Sequence, residues 1–369
     1  DSLDTEGEVV ADSVTSPFAN AKRAHATWSV AGLRSTPHGR ASLQADSLAA
    51  SGVHFASATV GARSDDGETW YVTLGTAPAD RPGGGATASI ARRGDTLAVA
   101  VDSLVVRVPG TDLRLLRPTR FRRAAGSIVL DTLQLQGTRG AVITASGVYH
   151  DSGSVAASVD LANAPAFLPG PGGASDSVRL LLDGAVRLDG TAQAPRATAD
   201  IRAHVAEDDS LPIDSVVVHV AYADSRVQAT INAHARTRSV LSGRVDGPME
   251  LSLSPFKAAL LDEPVTGQLS IDSLYLPDIS RIVPGARLTA GVLRTNLTLS
   301  GTAKQPRAVG TASLDGGAAL IEALGVQLHD ANASLQLATD RITIEKMEVR
   351  AGKDPEGRAD LTGTVALAD

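Results

Sequence analysis

Along much of the chain, apolar and polar positions follow a period of two. Val216, Val218, Val220 and Tyr222 alternate with Val217, His219 and Ala221, and Leu335 and Leu337 alternate with Ser334, Gln336 and Ala338. Side chains that reach the same face at every second residue mark strands with one face covered and one solvated. The alternation also changes phase at recurring places. Val99 and Val101 give way to Leu104 and Val106, Leu130 to Leu133 and Leu135, Leu211 and Ile213 to Val216, and Leu269 and Ile271 to Leu274 and Leu276. The residues at the breaks are Asp102-Ser103, Asp131-Thr132, Asp214-Ser215 and Asp272-Ser273, and Glu345-Lys346 stands in the same way between Ile342, Ile344 and Met347, Val349. Keeping one face apolar across such a break takes one extra residue, which is a bulge. A two-residue hairpin is the alternative, but Asp-Ser lacks the glycine that a type I′ turn favours.

A repeat overlies this pattern. Leu-x-Gly occurs with its glycine at Gly137, Gly190, Gly243, Gly301 and Gly363, at intervals of 53, 53, 58 and 62 residues. The copies starting at Leu188 and Leu299 extend to Leu-x-Gly-Thr-Ala-x-x-Pro-Arg-Ala, and Pro195, Pro248 and Pro306 each follow their glycine by five residues. Each interval is expected to hold about four strands of ordinary length, roughly 8 to 10 residues. Helix signals are confined to single turns at residues 278–283 and 164–168, and residues 82–85 and 169–173 read as loops.

Composition sharpens the picture. Of 369 residues 43% are hydrophobic but only 3% aromatic, so the buried surface is Val, Leu, Ile and Ala with little ring area. The formal net charge is -7 and no Lys/Arg run exceeds a pair, which excludes a phosphate-tracking surface; nucleic acid is not an expected partner. With no cysteine there are no disulfides, thiolate metal sites or cysteine nucleophiles. The acidic start is neither a signal nor a transit peptide, no window is long and apolar enough to span a bilayer, and the end reads like the interior of a strand pair. The chain is therefore expected to be part of a longer protein.

Candidate chemistry is sparse. His204, His219 and His234 recur every 15 residues on polar strand positions, but no carboxylate tracks them in sequence, so they are expected to be solvated and not metal ligands. Asp65-Asp66 and Asp208-Asp209 read as turn residues, Arg93-Gly94-Asp95 as a chance tripeptide, and Asn296, inside an apparent strand, and Asn332 as residues that merely fit a glycosylation pattern. Neither a catalytic set nor a cofactor or metal site is expected, and the chain is not read as an enzyme.

Residues 284–291, Leu299-Ser300-Gly301-Thr302 with Pro306, 310–314, 324–331, Asp340-Arg341-Ile342-Thr343-Ile344 and 361–365 together resemble the C-terminal region of the TamB family, the inner-membrane subunit of the translocation and assembly module. Residues 113–118, 126–131 and Val159-Asp160-Leu161-Ala162 are similar to that family and its AsmA-like relatives. The resemblance covers residues 95–369 best and 30–95 less closely, and leaves 1–29 unassigned; Gly352-Lys353-Asp354-Pro355-Glu356-Gly357 departs from the family's glycine-rich run. It implies an all-β fold: one elongated, mostly antiparallel sheet over residues 30–369, curled lengthwise into an open groove with an apolar interior. It also implies a periplasmic setting in a double-membraned bacterium and an inner-membrane anchor outside these residues. The implied partners are phospholipid acyl chains and an outer-membrane β-barrel of the TamA or BamA type. The implied work is phospholipid transport, outer-membrane protein assembly, or both.

On the alternation read above, the lining of such a groove falls on Leu133, Leu135, Val216, Val218, Val220, Leu269, Ile271, Leu274, Leu276, Leu297, Leu299, Leu335, Leu337, Ile342, Ile344, Met347 and Val349. A near-uniform aliphatic lining predicts a ligand that slides over it without a single deep site. The competing readings are a ligand-binding β-propeller, whose blades approach this repeat length, and a self-packed structural β-solenoid.

Overall fold

The computed structural model describes the chain apart from residues 1–2, 16–18, 51–52, 78–82, 109–110, 171–172, 206–213, 236–237, 281–284, 322–324, 353–356 and 368–369. The fold is all-β and antiparallel, with 24 strands among the described residues, and its backbone contacts divide it into two compact units, residues 1–164 and 165–369. Among the described residues there is no α-helix, only two single turns of 3-10 helix at Thr138–Gly140 and Leu276–Ile279. No helix among them is long and apolar enough to cross a membrane.

The first unit is a meander of β1 (Thr5–Thr15), β2 (Ala19–Ala31), β3 (His38–Ala50), β4 (Val53–Ser64), β5 (Thr69–Ala77), β6 (Gly83–Arg93) and β7 (Thr96–Val108), each paired with the next. The segment 1–29, unassigned from sequence, supplies β1 and most of β2. Two short strands then share one position: β8 (Thr111–Leu115) and β9 (Thr119–Ala124) both pair with β7 on one side and with β10 (Ser127–Gln136) on the other. β11 (Val142–His150) and β12 (Ser154–Gly170) continue the order. β6 takes in Gly83 to Gly85 and β12 takes in residues 164–168, so the expected loop and helical turn there are both extended strand.

The second unit runs from β13 (Gly173–Thr191) through β14 (Pro195–Val205), β15 (Ser215–Ala223), β16 (Arg226–Ala235) and β17 (Arg238–Leu253). The first part of β17 pairs with β19 (Thr266–Tyr275), and its last five residues leave the main sheet to pair with β18 (Phe256–Leu260). β20 (Ala286–Gly301), β21 (Pro306–Ile321), β22 (Val326–Ala338), β23 (Arg341–Ala351) and β24 (Arg358–Ala366) complete it. Sequential pairing without a break every fourth strand is not how propeller blades are built.

The phase changes are bulges, not hairpins. Register shifts fall between Thr87 and Ala88 opposite Asp102-Ser103, between Leu130 and Leu133, between Ile271 and Leu274, and between Ile344 and Met347. Asp214-Ser215 instead marks the start of β15, with Leu211 and Ile213 outside the described residues. In the second unit the irregularities form a band across adjacent strands. The bulges of β19 and β23 face Arg294 and Ser334-Leu335, and further shifts fall around Gly291 on β20, Asp315-Gly316 on β21 and Asp330-Ala331 on β22. An extra residue bends its strand, so each strand of this band is bent locally.

The Leu-x-Gly mark is not one structural device. In the two closest copies it closes a hairpin: Gly190 pairs with Pro195 and Gly301 with Pro306. Inside each turn the threonine hydroxyl accepts a bond from an amide three residues on, Ala194 N–H to Thr191 Oγ1 at 3.1 Å and Gln305 N–H to Thr302 Oγ1 at 3.3 Å. Gly137 also ends a strand, but Gly243 and Gly363 sit in mid-strand on β17 and β24. The strands are longer than expected, 19 residues in β13 and 16 in each of β17, β20 and β21, so each interval holds between three and four instead of a regular four.

Little of this is sealed. One small core joins Leu113, Leu135 and Ala141, with Leu104, Val106, Leu115, Leu133 and Ile143 packed against it; another joins Ala233, Ala235 and Val240. The accessible surface is 22208 Å². Two compact units sharing the 37.8 kDa mass would expose about 16,700 Å² together, so roughly a third more surface stays in contact with solvent.

Candidate functional site: an uncovered apolar face

Residues directly opposite each other on paired strands share a face. In the second unit, this places in one row Ile201, Val218, Ile231, Gly243, Leu269, Leu297, Gly310, Leu337, Ile342 and Val365, on β14 to β17 and β19 to β24. At the usual strand spacing such a row is about 43 Å long measured along the sheet. Val216, Ile271, Leu335 and Ile344 belong to the next row on the same face, and Val220 and Leu299 to the row on its other side. Further along, Leu274, Leu293, Leu314, Ala333, Met347 and Leu361 continue it, past the bulges of β19 and β23 and short of the shifts on β20 to β22. The bulges therefore do what the phase of the sequence requires: they keep leucines on one side while the strand bends.

The opposite face is polar. Its matching row reads Arg202, Val217, Asn232, Ser242, Ser270, Asn296, Thr311, Gln336, Thr343 and Thr364. Here the carboxylates are paired. Arg226 donates to Asp246 and holds its carboxyl below the ordinary 3.8. The histidines also lie on this face and, against the sequence expectation, carboxylates do reach two of them: His219 Nδ1 lies 2.5 Å from Asp200 and His204 Nδ1 3.4 Å from Asp183. His204 and His234 face Ser215 from opposite sides, and His219 stands four residues along the same strand, so the three do not converge. No group of three metal-ligating side chains is assembled among the described residues.

Of the expected lining residues, Leu135 and Val349 are buried and the rest are half-buried. Leu133 and Leu135 belong to the first unit's core, and Leu135 acts there as packing. Leu276 is in a 3-10 turn, not a strand, with its Cδ1 over Gly291 of β20. On the row itself Ile231 and Val365 remain 37% and 51% exposed.

The face is not uniform. A hollow of about 350 Å³ is lined by Val218, Ile231, Gly243, Val245, Gly267, Leu269, Leu297 and Leu299, almost wholly apolar. Two glycines make it. A methyl added at Gly243 would lie 2.9 Å from Ile231 Cγ2 and 3.2 Å from Leu269 Cδ1, and one at Gly267 would lie 3.3 Å from Leu299 Cβ. The third Leu-x-Gly mark thus floors a depression, where a sliding surface without a deep site was expected.

The first unit has its own apolar rows, which the sequence reading did not single out. Val9, Ala26, Leu43, Val60, Leu74 and Ala86 face the same way, with Val9, Leu43 and Leu74 at 50%, 43% and 46% exposure. The signal was there in the alternation of Val60, Val72 and Leu74. At the β4–β5 turn Asp66 accepts bonds from the amides of Thr69 and Glu68, each at 2.9 Å, which lower its pKa and mark it as a turn residue. Asp208-Asp209 lies outside the described residues. Comparison of the chain with protein-family models, with curated proteins and with solved structures finds no match in any of the three.

Proposed function

We propose that this chain is a lipid-carrying segment: the apolar face of its sheet holds acyl chains out of water while the polar face meets solvent. The observation that carries the reading is the row from Ile201 to Val365, continuous over ten strands and nowhere sealed. Soluble monomers rarely expose contiguous apolar surface beyond a few hundred Å², so a face of this extent calls for an apolar ligand. A sixteen-carbon chain laid on it gains on the order of 10 kcal/mol before entropy losses, at about 0.8 kcal/mol per buried methylene. On the resemblance to the TamB family, the ligand is phospholipid, the setting is the periplasm, and an outer-membrane β-barrel is the partner.

Photo-crosslinking tests this directly. With a photoreactive residue at Val218 or Leu335, the chain expressed in a double-membraned bacterium captures phospholipid; at Gln336 or Asn232, on the polar face, capture falls at least about fivefold. Equal capture from both faces, or none from either, overturns the proposal.

A further inference from the structure

Residues 107–123 carry six arginines and one acid in a chain of net charge -7. Sequence spacing hides what the fold does with them. β9 lies between β7 and β10, and the register splits its cations by face. Arg120 and Arg122, opposite Ala100 and Ala98, are on one face, where Arg122 donates to Asp131 at 3.1 Å. Arg123 is on the other, opposite Leu97, and Leu97 in turn stands opposite Arg92 on β6. Arg92 and Arg123 therefore straddle Leu97, their backbones about 10 Å apart, two strand spacings.

The next row on that face is Ile90, Val99, Phe121 and Leu130. Leu97 and Phe121 are each 38% exposed, so bare apolar surface lies beside two exposed guanidiniums. Among the described residues neither arginine has a carboxylate at ion-pair distance, and Arg92 Nε donates only to the Gly94 carbonyl at 3.3 Å. Two long planar cations on one face, either side of a leucine, suit an oxyanion that takes bidentate bonds, and the adjoining leucine and phenylalanine suit an alkyl tail. A nucleic acid would want more than two cations on the face it meets.

We propose that Arg92 and Arg123 form a headgroup site for an anionic phospholipid, with the phosphate held between the guanidiniums and a chain lying on Leu97, Val99 and Phe121. The proposal rests on the lipid-carrying reading for its tail and adds the charge that the headgroup must bear.

Titration of the full chain with short-chain phosphatidylglycerol, phosphatidylcholine with the same chains, inorganic phosphate and a single-stranded oligonucleotide tests it. The anionic lipid binds about tenfold tighter than the zwitterionic one, whose choline cation the two guanidiniums repel. Arg92→Gln/Arg123→Gln erases that preference and leaves phosphatidylcholine binding in place. Arg120→Gln/Arg122→Gln, with the same charge change on the other face, keeps it. All four positions are exposed, and an unchanged β circular-dichroism spectrum confirms that both variants fold. Equal loss in the two variants, retention of the preference in the first, or tighter binding of phosphate or oligonucleotide overturns the headgroup site alone. Failure of both lipids to bind the unaltered chain overturns the lipid-carrying reading itself.

Discussion

Gly301 and Thr302 show how a short sequence signature becomes a turn. Gly301 has φ of +89°, where an L side chain is strained, and a methyl there would overlap the Gln305 carbonyl oxygen. Gly190 repeats the arrangement with φ of +101°. Gly301→Ala is expected to cost about 2 kcal/mol or more, whereas Thr302→Ala, which loses the exposed hydroxyl's bonds with the Gln305 amide and the Asp262 carboxylate, costs about 1 kcal/mol. Urea unfolding followed at the β20–β21 amides gives that order; the reverse order means that the hydroxyl and not the backbone holds the turn. The conserved spelling of these two copies was legible because both residues act locally. Gly243 was spelled alike yet floors a hollow, because what makes it a depression is the bulk of Ile231 and Leu269 on other strands, and no local pattern records that.

Strands and their bulges were the most legible elements. An apolar period of two fixes the face, and a phase change fixes where one extra residue must go; four of the five breaks became bulges. The shifts on the strands between β19 and β23 were less visible, since on β20, β21 and β22 they fall on Gly291, Asp315-Gly316 and Asp330-Ala331, which carry no common dipeptide. Strand length is less legible for a related reason: β13 and β20 run through interior glycines and polar residues that read as ends. Inserting one alanine between Asp272 and Ser273 tests the bulge. The added residue slips Leu274 onto the polar face, and the loss of a half-buried leucine with its turn costs about 2 kcal/mol. Limited proteolysis then cuts β19 and the Leu276–Ile279 turn faster. Unchanged protection shows that the bulge absorbs the insertion.

For the whole molecule the balance of apolar bulk and small residues decides what the uncovered face can hold. The scarcity of aromatic side chains, 3% of the chain, leaves an aliphatic surface whose relief comes from glycines. Gly243→Leu fills part of the hollow, so lipid capture from a crosslinker at Ile231 is expected to fall several-fold while capture at Leu337, four strands away in the row, stays the same. Equal loss at both sites means that the hollow is not a distinct seat. The fold class was legible because one-faced alternation was nearly the only pattern present; the two arginines that flank Leu97 were not, because β9 reaches their neighbourhood only through a shared strand position. That same nearest-neighbour pairing governs how the protein is made. Within each unit nearly every strand pairs with the one before or after it, and the exceptions skip a single strand. Loop closure is thus always short, and each hairpin can set before the next strand arrives. A chain delivered from one end can lay down its sheet in the order in which it is delivered, without waiting for a distant partner.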